Sequence, residues 1–100
     1  MESLIEERLV AVEIRLPTLL RVHAQGNSSV SLEGSSLREV FDRLIEQFPA
    51  MAGQVITAEG SFHKFVNVYV NDDDVRYLDK LDTKLNDGDV ITILPAVAGG

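Results

Sequence analysis

The chain has no cysteine and no tryptophan. The first absence excludes a disulfide framework, thiolate metal sites and a catalytic thiol. It also means that any sulfur the protein handles must be attached to it. Histidine is scarce too: His23 and His63 lie far apart in the sequence, with no thiolate to complete a zinc set, and both read as loop residues. Basic residues are few, nine Lys and Arg against sixteen Asp and Glu, for a net charge of −7. That deficit argues against a nucleic-acid partner, which wants clustered Lys and Arg. It favours partners with basic surfaces. No apolar run approaches transmembrane length. The opening Met1-Glu2-Ser3-Leu4-Ile5-Glu6-Glu7-Arg8 is acidic where a signal peptide is basic. A cytoplasmic protein without a membrane partner is therefore expected.

What is present suffices for one small domain: 100 residues, 45% of them hydrophobic. Residues 1–9 read as an N-terminal extension. Val10 to Leu16 alternates apolar and polar with period two, a half-buried strand whose Val10, Val12, Ile14 and Leu16 face the core. Pro17 ends it for want of a donor. Gly26-Asn27-Ser28 signals a turn and Ser29 to Leu32 a second strand, giving a hairpin with a long loop. Ser36-Leu37-Arg38-Glu39 has the spacing of a capping box. The helix it opens carries one apolar stripe, Leu37, Val40, Phe41, Leu44, Ile45 and Phe48, and Pro49 closes it. Residues 50–64 are weakly patterned, with Met51, Val55 and Ile56 expected under the sheet. Phe65 to Val70 is a strong strand, Asn71 to Asp74 a turn, Asp74 to Tyr77 a short strand, Asn86 to Asp89 a turn, and Val90 to Leu94 the last strand. This order predicts an α+β domain over residues 10–95: a β-grasp (ubiquitin-like) arrangement, with a mixed sheet of four or five strands packed on one main helix. The first and last strands are expected to pair in parallel at its centre.

No catalytic constellation is found. A calcium loop starting at Asp72 needs Gly at its sixth position and Glu at its twelfth, where Tyr77 and Thr83 stand; the Asp72-Asp73-Asp74 run reads as a hairpin turn. The serines lack a nucleophile-elbow context, and the glycines form neither a phosphate loop nor a dinucleotide fingerprint. No bound metal is expected. Phe65 and Tyr69 are placed on the sheet face opposite Val66, Val68 and Val70, and Leu94 on the same outer face. These three form a candidate docking patch, unless residues 50–64 cover them.

The chain closes on Gly99-Gly100 after Ala96-Val97-Ala98. A terminal carboxylate here is itself a candidate reactive group. Glycine lacks a Cβ and passes narrow channels, and a tail over residues 96–100 has little apolar surface to offset the roughly 1–2 kcal/mol that ordering each residue costs. It is expected to be gripped only by a partner. An α-carboxyl, with a reference pKa of about 3.3–3.7, is ionised at neutral pH and is a poor electrophile, so it requires activation by another protein.

Phe65-Val66-Asn67-Val68-Tyr69-Val70-Asn71-Asp72-Asp73-Asp74-Val75-Arg76, the ending from Val90 to Gly100, and the early Ile14-Arg15-Leu16-Pro17-Thr18-Leu19-Leu20-Arg21 together resemble the MoaD/ThiS family of sulfur carriers, and in particular its cysteine-biosynthesis branch. The resemblance covers residues 10–100; the first nine depart from it. It implies a carrier with no catalysis of its own. An adenylating enzyme of the MoeB/ThiF kind, using ATP and Mg²⁺, activates the carboxylate of Gly100, and sulfur transfer gives a thiocarboxylate. Gly99, with Ala96, Val97 and Ala98, threads the partners' channels. A PLP-dependent cysteine synthase then takes the sulfur onto O-phosphoserine, and a zinc metalloprotease releases the cysteine. The alternatives are a molybdopterin synthase small subunit, a ubiquitin-like protein modifier joined through Gly100 to lysines, and a plain interaction module.

Overall fold

The computed structural model describes residues 10–96. The expected extension and all of the expected tail beyond Ala96 lie outside the described residues. Strand β1, Ala11–Arg15, buries Val12 and Ile14 and turns Ala11 and Arg15 outward. The flanking Leu16 N–H donates to the Ser28 carbonyl (2.9 Å), and the Gly34 N–H donates to the Val10 carbonyl (2.9 Å). The ladder to β2, Ser29–Glu33, thus runs its full antiparallel length.

The segment between them is not the plain loop expected. Thr18–Arg21 forms a one-turn helix, α1, and Val22–Ala24 a 3₁₀ turn. Pro17 sits at the N-cap with φ −69°, just outside the helix, where its missing donor is not needed. The turn ends at Gln25 and Gly26, both left-handed, and the Asn27 side chain donates to the Ala24 carbonyl at 2.9 Å. Leu20 and Ala24 are buried; Leu19, one residue from Leu20, is 75% exposed.

Helix α2, Leu37–Gln47, packs across the sheet through the expected stripe, with Leu37, Val40, Phe41 and Leu44 buried. Phe48, just past its end, is buried too. The Ser36 hydroxyl accepts from the Glu39 N–H at 3.3 Å. The return half of the expected capping box is displaced by one residue: the Glu39 carboxylate accepts from the Ser35 N–H (2.7 Å) and hydroxyl (3.1 Å). Gly34 precedes this cap because a Cβ there would lie 2.7 Å from Val40 Cγ2 and 3.1 Å from Val40 N. Replacing Ser36 with Ala orphans the Glu39 N–H. The expected loss is about 1 kcal/mol, read as a lower urea midpoint with an unchanged slope.

The Ser35 N–H, and after it the Ser35 hydroxyl, holds the Glu39 carboxyl below the usual glutamate range. A carboxyl depressed in the folded state adds stability that is complete above its unfolded-state value and vanishes as pH falls through its folded-state value. Glu39→Gln therefore lowers stability near neutral pH. The difference from the parent closes as pH drops below about 4.3, measured by urea unfolding at stepped pH. A difference that persists unchanged into acid assigns the loss to packing instead.

After α2, a 3₁₀ turn at Pro49–Met51 buries Met51, and Val55 is buried behind it. Ile56 pairs with Phe62, and the Phe62 ring meets Phe41 edge-on at 6.3 Å. Strand β3, Val66–Val70, leads to β4, which is only Asp73–Asp74. The expected strand through Tyr77 is absent; Val75–Tyr77 is a 3₁₀ turn. The Asp74 carboxylate causes this. It accepts from the Arg76 N–H at 2.9 Å and from Arg76 Nη2 at 2.7 Å, closing the chain on itself before a ladder can form. The Arg76 side chain correspondingly holds the Asp74 carboxyl below its usual range.

Residues 81–85 then run beneath α2. Leu81, Thr83 and Leu85 are buried. The Thr83 hydroxyl donates to the Lys80 carbonyl (2.7 Å) and accepts from the Asp79 N–H (3.1 Å), and the Thr83 carbonyl accepts from the Leu37 N–H at the helix start (3.1 Å). A tight turn at Gly88, φ +89°, delivers the last strand, β5, Val90–Pro95.

The sheet order is β2-β1-β5-β3-β4. β5 lies at the centre, parallel to β1 (Ile14 opposite Ile91) and antiparallel to β3 (Val66 opposite Pro95, Val70 opposite Ile91). Ile14, Ile91, Ile93, Leu37 and Leu44 are the middle of one continuous core.

Candidate functional site at the end of the central strand

The pairing of β5 on both edges fixes where the chain leaves the body. At the exit, the Ala96 N–H donates to the Phe65 carbonyl at 2.8 Å, so the ladder to β3 extends one residue beyond Pro95 into the segment expected as tail. Val97, Ala98, Gly99 and Gly100 lie outside the described residues.

The three docking residues are placed as follows. Phe65 precedes β3 and is 55% exposed; Leu94 is 44% exposed; Tyr69 is half-buried. Residues 50–64 therefore leave Phe65 open. In the β3–β5 ladder Tyr69 lies opposite Thr92 and Leu94 opposite Asn67, which puts Tyr69 and Leu94 on one outer face two positions apart. Phe65 belongs to the flank. Its ring stacks on His63 at 5.1 Å between centroids, and Lys64 Nζ stands 5.3 Å from the ring centroid. The Phe65 N–H donates to His63 Nδ1 at 3.2 Å.

Two open grooves flank the exit. One of about 400 Å³ is lined by Arg15, Pro17, Leu19, Arg21, Leu94 and Pro95 among others. The other, about 360 Å³, is lined by Pro17, Leu19, Gln54, His63, Phe65 and Pro95 among others. Leu19 and Pro95 border both and join Leu94 to Phe65. Leu19 was missed in the sequence because a single helical turn has no period to read. The available signal was the Leu19-Leu20 pair after Pro17: neighbours on a helix point about 100° apart, and on a single turn Leu20 takes the buried direction and Leu19 the exposed one. Among the described residues no three His, Asp or Glu side chains converge to hold a metal ion. Among the described hydrogen bonds none joins a histidine to a hydroxyl. No helix of the described residues is long and apolar enough to cross a membrane.

A mixed sheet whose first and last strands pair in parallel at its centre, with one long helix across it and the C-terminal end emerging beside that centre, defines a ubiquitin-like β-grasp domain. The profile of the ThiS family matches residues 14–100, and the chain belongs to that family. The sulfur carrier protein CysO of Mycobacterium tuberculosis is 44% identical over 91 residues, spanning 89% of this chain and 98% of that protein. A chain of the Amycolatopsis orientalis BexX/CysO complex is 42% identical with a TM-score of 0.81, covering 89% of this chain and 99% of its own length. Small archaeal modifier protein 1 of Methanosarcina acetivorans is 28% identical with a TM-score of 0.78, covering 94% of this chain and 100% of its own length.

Proposed function

We propose that this protein carries sulfur as a thiocarboxylate on Gly100 and delivers it for cysteine synthesis. The observation that carries the reading is the exit of β5 from the sheet centre between two apolar-lined grooves, in a chain whose family match runs through Gly100. The carboxylate is first converted by a MoeB/ThiF-like partner, with ATP and Mg²⁺, to an acyl-adenylate with release of pyrophosphate. Sulfide attack on that carbonyl expels AMP and leaves the thiocarboxylate. The body performs none of these steps; it presents the acyl group and is docked by Leu94, Leu19, Phe65 and Tyr69. ATP, Mg²⁺, PLP and zinc belong to the adenylating enzyme, the cysteine synthase and the metalloprotease that act on it.

Intact mass after incubation with such an adenylating enzyme, ATP and a sulfide source tests this. The expected result is exchange of one oxygen for sulfur at the C-terminus, followed by sulfur transfer to O-phosphoserine when the synthase is added. No mass change with any adenylating enzyme of this type overturns it. The likeness to small archaeal modifier protein 1 favours a second reading, in which the activated Gly100 is joined to lysines; isopeptide adducts recovered by mass spectrometry are its signature.

The docking assignment has its own test. Leu94→Asp and Leu19→Asp each place a charge on the apolar rim of the exit. Each is expected to reduce kcat/KM for adenylation about tenfold, or 1.4 kcal/mol. Both residues are exposed, so the unfolding midpoints stay near that of the parent.

A further inference from the structure

The net charge of −7 points to basic partners, but the charge is not spread evenly over the two ends of the sheet. At the start of β5 stand Asp72 and Asp73, both exposed, with Asp87 and Asp89. Asp87 accepts from the Ala11 N–H (2.9 Å), and Asp89 accepts from the Asn71 side chain (3.1 Å) and the Asn86 N–H (2.8 Å). At the other end of the same strand the charged groups are cations. Arg15 and Arg21 line one exit groove, and Lys64 stands over the ring of Phe65, which lines the other. No Asp or Glu lines either groove among the described residues. The Glu13 carboxylate is paired with Arg15 at 3.4 Å. Arg21 donates through Nε to the Leu16 carbonyl at 3.0 Å, which leaves its other guanidinium donors to meet an acceptor.

Distance decides which end a docking protein senses. Five steps of β-strand separate Val90 from Pro95, about 17 Å, roughly twice the Debye length of about 8 Å at physiological salt. The acidic end is screened from a surface that meets the exit, and the net charge of the whole chain is the wrong guide.

We infer that the partner surface surrounding the channel for the tail is acidic: its carboxylates meet Arg15, Arg21 and Lys64 around an apolar contact on Leu19 and Pro95. This rests on the carrier reading above. Charges at such a rim set encounter rate, register and salt dependence more than final affinity. The acidic end in turn repels the same rim and disfavours inverted docking.

The test uses the full chain and the adenylating enzyme that loads it, with KM for the carrier measured by ATP–pyrophosphate exchange at low and high salt. The parent KM is expected to rise with salt. Arg15→Glu combined with Lys64→Glu is expected to raise KM roughly tenfold at low salt with kcat unchanged, and Lys64→Gln to raise it less. Asp72→Lys and Asp73→Lys, on the far end, are expected to leave it unchanged. Equal KM for the Arg15/Lys64 variant, or an equal effect from the Asp72 and Asp73 variants, overturns the inference and leaves the carrier reading standing. Absence of exchange with the parent chain overturns the carrier reading and this inference with it. If reversal changes the sedimentation of the chain alone, the cations serve a second copy. If the charge effect disappears when a chain lacking Gly99 and Gly100 is used as competitive inhibitor, they serve the chain's own terminal carboxylate. Either outcome overturns the acidic-partner assignment.

Discussion

Removing Gly99 and Gly100 is expected to abolish loading altogether while leaving the unfolding midpoint where it was. The two effects separate because chemistry and folding use different residues. The described core runs from Val12 to Ile93, so its burial is complete before the last two residues are reached. On the proposed carrier reading, loading takes place at the acyl carbon of Gly100, and Ala98, as the new terminus, would carry a Cβ and end the chain two residues early. Intact mass under the loading conditions and a urea titration of the same sample check both halves. A truncated chain that still gains sulfur removes Gly100 from its role. One that loses stability ties the last glycines to the folded body.

Replacing Ile91 with Ala produces the opposite pattern. Ile91 is fully buried at the centre of the sheet, opposite Ile14 on one side and Val70 on the other. Truncating it removes three carbons from a site that three strands and α2 hold open, and a loss of about 2–5 kcal/mol is expected. Small domains have only about 5–15 kcal/mol in total, so this single change takes a large share. Below its melting temperature the variant still presents the exit and is expected to load at close to the parental rate. Urea unfolding and intact mass at 10 °C below the variant's own midpoint, a margin of about that size, test the two statements. Loading that fails in fully folded Ile91→Ala would show that the sheet centre does more than hold the tail in place.

The parts of this fold that could be read in the sequence are those whose pattern repeats. The stripe from Leu37 to Phe48 spans three helical turns, and β1, β3 and β5 each alternate over five or six residues. Their order was enough to place β1 beside β5. What escaped is short or held by a single side chain. α1 is one turn, and Pro17 signals both a strand end and a helix start. Val75-Arg76-Tyr77 has the alternation of a strand, but one carboxylate, Asp74, wins the backbone for a 3₁₀ turn. Leu81, Thr83 and Leu85 alternate as a buried edge does, yet the segment makes an isolated bridge, Lys84 with Ser36, in which the Thr83 carbonyl accepts from the Leu37 N–H and the Leu85 N–H donates to the Ser35 carbonyl at the start of α2. At the site, Leu94 and Tyr69 followed from strand parity. Phe65 was placed by the same parity and is exposed; what parity did not show is the turn before it, closed by a hydrogen bond from the Val66 N–H to the His63 carbonyl, and its ring against His63. Leu19, which joins the two grooves, was hidden with α1.

The central place of β5 has a mechanical consequence. An enzyme that grips the terminal residues pulls along the axis of a strand bonded on both sides, to β1 and to β3. Force in that direction loads the backbone hydrogen bonds in shear, so they must rupture together rather than peel away one after another. On the proposed carrier reading, a pull applied from the exit of β5 therefore meets a sheet that does not unravel from that end.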